Sequence, residues 1–184
     1  KFEEHDPTPL LKWLEGKRQN PSFSAHLIGV SDLRSWFVEA GTGNISHQSG
    51  AFFSVEGVRV TSIGLREVND WDQPIFTQKG GGILALICRQ EQEKIQFLLA
   101  AKAEPGNIGT FQFAPTLQAT WSNLRRVHQG SRPAFSEILL GEVAARLVYS
   151  ALHNEEGGRF WMKTNNNQIY LVDPNVTELV YDQD

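Results

Sequence analysis

A single cysteine, Cys88, stands among the 184 residues, so the chain has no internal disulfide framework and no cysteine-based zinc site. No apolar run exceeds the six residues Ile83–Cys88, far short of the ~20 that a membrane-spanning helix needs. Lys and Arg total 17 against 21 Asp and Glu, a net charge of -4, and no block of basic residues supplies the footprint of nonspecific nucleic-acid binding. Neither nucleic acid nor membrane is therefore expected as a partner. The sequence also lacks a Walker-type phosphate loop, a dinucleotide-binding glycine motif, a zinc-protease helix, a nucleophile elbow and an EF-hand loop. His5, His26, His47, His128 and His153 show no metal-ligand spacing, and no metal is expected. Nothing from Lys1 onward reads as a signal peptide, which predicts a cytoplasmic location.

What remains is a globular composition, 40% hydrophobic and 21% charged, at a length that suits one domain. A helix is predicted with Thr8 as N-cap and Pro9 at the first helical position. Leu10, Leu11, Trp13 and Leu14 recur at helical spacing, and the pattern runs through about Gln19. Phe23–Val30 reads as a strand, followed by a short helical turn, capped by Ser31, that carries Leu33 and Trp36 inward. Phe52–Val60, bent at Gly57, and Trp71–Thr77, Ile83–Arg89 and Lys94–Ala103 have strand composition, with breaks at Lys79–Gly82 and Gln90–Glu93. Phe111, Phe113, Leu117 and Trp121 continue the β pattern, interrupted by Pro115. Ala134–Leu140 stays open between helix and strand. Val143–His153 is expected to form a hairpin with Arg159–Lys163, and Asn165-Asn166-Asn167 to turn the chain into Gln168–Val172. The sum is an α+β domain of mixed or antiparallel sheet with about eight strands and one or two short helices. No βαβ rhythm supports a doubly wound fold.

Two segments are richer in polar groups than a scaffold requires. Thr42, Asn44, His47, Gln48 and Ser49 crowd a glycine-punctuated loop that feeds the strand holding Glu56 and Arg59. That loop is either a self-bonded turn or part of a site. Further on, Glu104 closes an apolar strand just before Pro105-Gly106. Gln118, Thr120, Ser122, Asn123, Arg125, Arg126 and His128 follow. Strand alternation puts Gln118, Thr120 and Ser122 on one face, and Leu117, Ala119 and Trp121 on the other. The polar face is either solvated or lines a pocket.

The stretch Thr42–Val60, which contains Asn44, His47, Phe53 and Glu56, resembles the signature of the NDP-hexose 2,3-dehydratases. So, in order, do Trp71–Ile75, Ala101–Asn107, Ala114–Thr120, Ser122-Asn123, Arg126-Val127-His128 and Arg146–Val172. The resemblance covers nearly the whole chain. It implies a Nudix-like mixed β-sheet sandwich with short helices, residues 1–184 forming a single domain of that kind. It also implies a lyase acting on a dTDP-linked 4-keto-6-deoxyhexose in deoxysugar or antibiotic biosynthesis. Such an enzyme removes the C3 proton and expels the C2 hydroxyl, and the elimination is redox-neutral, so no cofactor is expected. The magnesium-binding helix of true Nudix hydrolases is missing from the sequence. Family members carry two such modules in tandem, so a lone module is expected to be a homodimer.

The chemistry assigns candidate roles to the matching residues. Glu104 is the first candidate for the base, on the argument that desolvation at the end of an apolar strand raises its pKa. Its alternative is bracing the turn. His47 and His128 are the next acid or base candidates, and Glu56 either orients His47 or pairs with Arg59. Arg125 and Arg126 suit a diphosphate. Thr120, Gln118, Asn123 and Asn44 are candidate substrate contacts. Phe53 and Trp121 are candidates for stacking on a thymine, with core packing the alternative for at least one. The chain departs from the family at Leu124, where an aromatic is usual, and in the glycine-rich loop Gln78–Gly82. Two other functions fit the same residues: a dehydratase, isomerase or cyclase acting on a non-nucleotide intermediate, and a dTDP-sugar-binding module without catalysis.

Overall fold

Gly82–Glu91 alternates so that Ile83, Ala85 and Ile87 are buried, and the largest sheet is laid down around this strand. The computed structural model describes residues 6–21, 24–61, 64, 69–120, 124 and 132–173. The α-helices described in full are α1 (Thr8–Gln19) and α2 (Ser136–Leu139). The strands begin with β1 (Trp36–Val38), β2 (Ile45–His47), β3 (Ser54–Thr61), β4 (Asp70–Thr77) and β5 (Gly82–Glu91). They continue with β6 (Lys94–Ala103), β7 (Phe111–Pro115), β8 (Leu117–Thr120), β9 (Ala145–Asn154) and β10 (Thr164–Val172). The fold is α+β, rich in sheet and poor in helix. It comprises two compact units, one of Lys1–Leu27, Ile83–Ala151 and Asn167–Asp184, the other of Ile28–Gly82 and Leu152–Asn166. No helix among the described residues is long and apolar enough to cross a membrane.

The first unit is built on a sheet of order β7-β6-β5-β10-β9, with β8 also pairing β5. The β5–β6 and β6–β7 ladders are antiparallel, with Ile87 opposite Leu98 and Ala101 opposite Phe113. One core cluster joins Ile83, Ala85, Leu117, Ala119 and Leu124, and a second joins Ile87, Ile138 and Val172. Leu124 is thus a core residue, 4% exposed, so the position where the family usually has an aromatic is filled here by an aliphatic packing group. Helix α1 buries Leu14 and stacks Trp13 on Phe113 at 6.3 Å, while Leu10 and Leu11 stay exposed. The predicted stripe is therefore only partly used.

Several local expectations are corrected. Thr8 is the first helical residue, not the cap. Pro7 holds the N-cap position and the Asp6 carboxylate accepts the Thr8 N–H at 3.0 Å. The described part of Phe23–Val30 forms no strand, because it has no neighbouring strand among the described residues and lies exposed. The following 3₁₀ turn, Val30–Asp32, starts from Gly29 rather than Ser31, and Trp36 enters a strand. Ala134–Leu140 resolves into the one-turn helix α2. The partner of β9 is β10, not Arg159–Lys163.

Asn165-Asn166-Asn167 lies inside β10, where tertiary hydrogen bonds override turn propensity. The buried Asn165 accepts the Gly82 N–H at 2.9 Å and donates to Glu155. The glycine-rich loop before β5 has its reason here too. Gly80 has φ of 81°, and a Cβ on Gly81 would lie 2.7 Å from the Thr164 carbonyl oxygen.

Replacing Gly81 by Ala is expected to cost about 1–3 kcal/mol through this clash. Ile83→Ala, at 1% exposure, is expected to cost about 2–5 kcal/mol through a cavity. Urea midpoints measure both, and an unchanged midpoint for Gly81→Ala would contradict the close approach.

Candidate functional site

Register decides what the second unit can present. Directly paired residues of neighbouring strands share a face. Trp36 pairs His47, Ile45 pairs Val55, and Val55 pairs Phe76 in the antiparallel order β1-β2-β3-β4. Trp36, His47, Val55 and Phe76 therefore point to one side, and Ser54, Glu56, Ile75 and Thr77 to the other. On the first side the rings form a continuous wall. Trp36 meets Phe53 at 5.0 Å, Phe53 meets Phe76 at 5.0 Å, and Phe76 meets Phe160 at 5.5 Å. Phe160 is held there by a parallel bridge, in which Phe76 donates to Arg159 at 2.7 Å and Trp161 donates to Phe76 at 2.9 Å. At its end the Lys163 ammonium lies 4.7 Å from the Phe160 ring centroid and donates to Gln78 Oε1 at 2.7 Å. The wall is reachable: Phe52 is 57% exposed, and Trp36, His47 and Phe53 are half-buried.

His47 sits at the other end. Its ring meets Trp36 edge-on at 5.3 Å and Phe52 at 4.5 Å. Nδ1 lies 3.1 Å from the Ser49 amide nitrogen and 2.8 Å from Ser49 Oγ. The preceding loop is self-braced. Glu39 accepts from Thr42 Oγ1 at 3.1 Å and from Ser46 Oγ at 2.6 Å. Asn44 donates its backbone N–H to Thr42 Oγ1 at 3.2 Å. Gly41 and Gly43 take φ of 94° and 75°, a region that costs other residues strain. The loop is thus a self-bonded turn that delivers a histidine to an aromatic face.

Glu56 lies on the opposite face, so it does not orient His47. Nor does it pair with Arg59, which makes a two-pronged ion pair with Asp72 at 2.9 and 2.8 Å. The Glu56 carboxylate instead accepts from Thr77 Oγ1, and from Ser54 Oγ at 2.9 Å. The two hydroxyls are themselves 2.6 Å apart. These donors, Thr77 first and Ser54 second, hold the Glu56 carboxyl below its ordinary value of 4.5 against a small opposing desolvation.

The first unit holds the other candidates. Glu104 closes β6 at the β6–β7 turn, where its N–H donates to Thr110 at 3.2 Å and its carbonyl accepts from Asn107 at 3.1 Å. Its side chain is 46% exposed and Oε1 is 2.8 Å from Lys102 Nζ. The desolvation expected for it is therefore replaced by an exposed ion pair. On β8 the predicted alternation holds: Leu117 and Ala119 are buried, Gln118 is exposed and Thr120 is half-buried. Trp121, Ser122, Asn123, Arg125, Arg126 and His128 lie outside the described residues. Among the described residues no three His, Cys, Asp or Glu side chains gather as a metal site. Sequence reasoning gave no functional weight to Trp36, Phe52, Phe76, Phe160 or Lys163. Only the cross-strand register, which joins positions far apart in the chain, brings them into one wall.

The sequence model of a family described as NDP-hexose 2,3-dehydratase matches residues 8–183. A dTDP-4-dehydro-6-deoxy-alpha-D-glucopyranose 2,3-dehydratase of Saccharopolyspora spinosa is 36% identical over 168 residues, covering 91% of this chain and 34% of that protein. A protein of the same name from Amycolatopsis orientalis is 34% identical over 161 residues, 85% of this chain and 34% of its own length. Another, from Streptomyces violaceoruber, is 40% identical over 143 residues, 76% of this chain and 32% of its own length. The chain spans about a third of the length of these curated relatives.

Because the Glu56 carboxyl is lowered on folding, its contribution to stability is fully present above pH 4.5 and is lost as pH falls through the folded value. Glu56→Gln should therefore lower stability at neutral pH, and its deficit against the wild type should shrink steadily in acid. Urea unfolding at a series of pH values measures this. A deficit that is independent of pH would contradict the assigned hydrogen bonds.

Proposed function

The chain belongs to the NDP-hexose 2,3-dehydratase family, and on that premise we propose that it eliminates water from a dTDP-linked 4-keto-6-deoxyhexose. The match along residues 8–183 carries this reading. In the reaction a base takes the C3 proton, made acidic by the neighbouring ketone. The electron pair expels the C2 hydroxyl, which leaves as water with one proton. The resulting enol rearranges to a 3,4-diketo sugar. Glu104 is the proposed base and His47 and His128 the proposed acid or electrostatic partners. Glu56, through its hydroxyl pair, supports the sheet that carries His47. Arg125 and Arg126 are proposed for the diphosphate. Gln118, Thr120, Asn123 and Asn44 are proposed for the sugar, and Phe53 and Trp121 for the base of the nucleotide.

The half-exposed wall of Trp36, Phe52 and Phe53 supports the stacking part of the proposal, since aromatic faces bind planar rings and sugar C–H surfaces. The Nudix-like fold and the action of residues 1–184 as one functional module belong to the same reading. So does a homodimer. Ile95, Phe97 and Leu99, alternate residues of β6, are 59%, 52% and 38% exposed and offer an apolar face of the kind that partners cover. One observation favours a second reading, a sugar-nucleotide-binding module without turnover: the Glu104 carboxylate is already committed to Lys102.

Glu104→Gln separates the two readings. If Glu104 is the base, turnover and solvent exchange at C3 fall together by about 10²–10⁴-fold with affinity for dTDP retained. Proton NMR in deuterated buffer and calorimetry with dTDP read the two quantities. Undiminished exchange in the variant removes Glu104 as the base, and wild-type binding without any exchange establishes the binding module. Light scattering at the 20.7 kDa of one chain, at tens of micromolar, would end the homodimer proposal.

A further inference from the structure

We propose that Ser49 fixes His47 as an Nε2–H donor, so that the imidazole stabilises a negatively charged oxygen instead of taking a proton from carbon. This rests on the reading of the aromatic face as the keto-sugar site. The Ser49 backbone N–H reaches His47 Nδ1 at 3.1 Å. An amide N–H can only donate, so Nδ1 must present its lone pair. Ser49 Oγ lies 2.8 Å from the same nitrogen and accepts the Ala51 N–H at 3.2 Å. With Nδ1 already an acceptor of the amide N–H, the Ser49 hydroxyl bonds to it as a donor. Two donors thus converge on one ring nitrogen, and in a neutral imidazole the proton resides on the other, Nε2.

The backbone enforces this geometry. His47 ends β2 opposite Trp36, and the turn after it closes through the Gly50 N–H on the His47 carbonyl at 3.0 Å. Gly50 takes φ of 64°. The imidazole is bounded edge-on by Trp36 and Phe52, with interplanar angles of 75° and 65°. Among the described residues no group is hydrogen-bonded to Nε2. The arrangement leaves one fixed N–H on a half-exposed aromatic face.

Such a group suits one step of the elimination. When the C3 proton goes to a separate base, the electron pair of the broken C–H bond moves onto the C4 ketone oxygen. A fixed N–H donor lowers the energy of that enolate and keeps its own proton. The pair then returns, the C4 carbonyl re-forms, and the C2–O bond breaks. The hydroxide leaves as water with the proton first taken from C3. His47 is the donor, and Ser49 is a positioning residue acting through it.

Nitrogen-15 NMR of the ring nitrogens in the free chain, in buffer alkaline enough for neutral imidazoles, reads the tautomer without any substrate. The expected result is a protonated Nε2 and a lone-pair Nδ1 at His47. Ser49→Ala, which removes one of the two donors, should raise the minor Nδ1–H form about fivefold, and Ser49→Thr should restore the wild-type ratio. A dominant Nδ1–H form in the wild type, or a ratio untouched by Ser49→Ala, overturns the proposal. With dTDP-4-keto-6-deoxyglucose, His47→Gln retains an N–H donor and should keep C3 exchange within about tenfold of wild type, whereas His47→Leu should lose about 10²–10³-fold. Equal losses in the two variants would make His47 a base and overturn the donor role. An Nε2–H ring in a wild-type chain that never turns over would remove the dehydratase reading alone.

Discussion

Everything at the candidate site depends on the register of one four-stranded ladder. Ile45 opposite Val55 and Val55 opposite Phe76 assign Trp36, His47 and the phenylalanines to one face and the Glu56 hydroxyl network to the other. A slip of one residue would exchange the two sets. The other face keeps the register in place: Ile75 is buried at 7% exposure, and Ser54, Thr77 and Glu56 are joined by hydrogen bonds. The hydrogen-bonded side of the sheet, anchored by the buried Ile75, thus fixes the position of the half-exposed aromatic side.

The second unit devotes much of its polar chemistry to holding conformation. Glu39 braces the loop before β2, Ser49 braces the turn after it, and Asn165 ties β10 to Gly82. None of these groups needs to meet a substrate to matter, because each limits the ways in which His47 and its ring neighbours can be presented. Preorganisation of this kind lets a single N–H act as a catalytic dipole without rearranging during reaction. The wall between His47 and Lys163 has a hydrogen-bond donor at one end and a cation at the other.

Much of the fold was legible in the sequence where local signals agree with tertiary demand. Lys94–Ala103 is legible as a strand from its apolar composition, and the alternation at Leu117–Thr120 reads directly, because burial on one face writes a period of two. The same logic failed where long-range bonds outweigh propensity. Three consecutive asparagines look like a turn, yet they run through β10 because Asn165 finds partners in Gly82 and Glu155. The glycines before β5 looked like a departure until the Thr164 carbonyl showed how little room Gly81 has. At the site, Asn44, His47 and Glu56 stand out in the polar loop and the strand it feeds, and the resemblance adds Phe53. The side that each faces is a property of strand pairing, and no single segment encodes it. Trp36, Phe76 and Phe160, distant in sequence, were invisible as a group for that reason. The end of an apolar strand predicts burial for Glu104, and the structure gives it an exposed ion pair to Lys102 instead.

The central claim is that the face carrying His47 receives the keto-sugar nucleotide. The most direct measurement is a titration of the isotope-labelled chain with dTDP-4-keto-6-deoxyglucose, followed through the ring resonances of Trp36, His47, Phe52 and Phe53. The account predicts that these resonances shift together and saturate with a single dissociation constant. Silent resonances at all four residues, while binding is registered elsewhere in the chain, would contradict it.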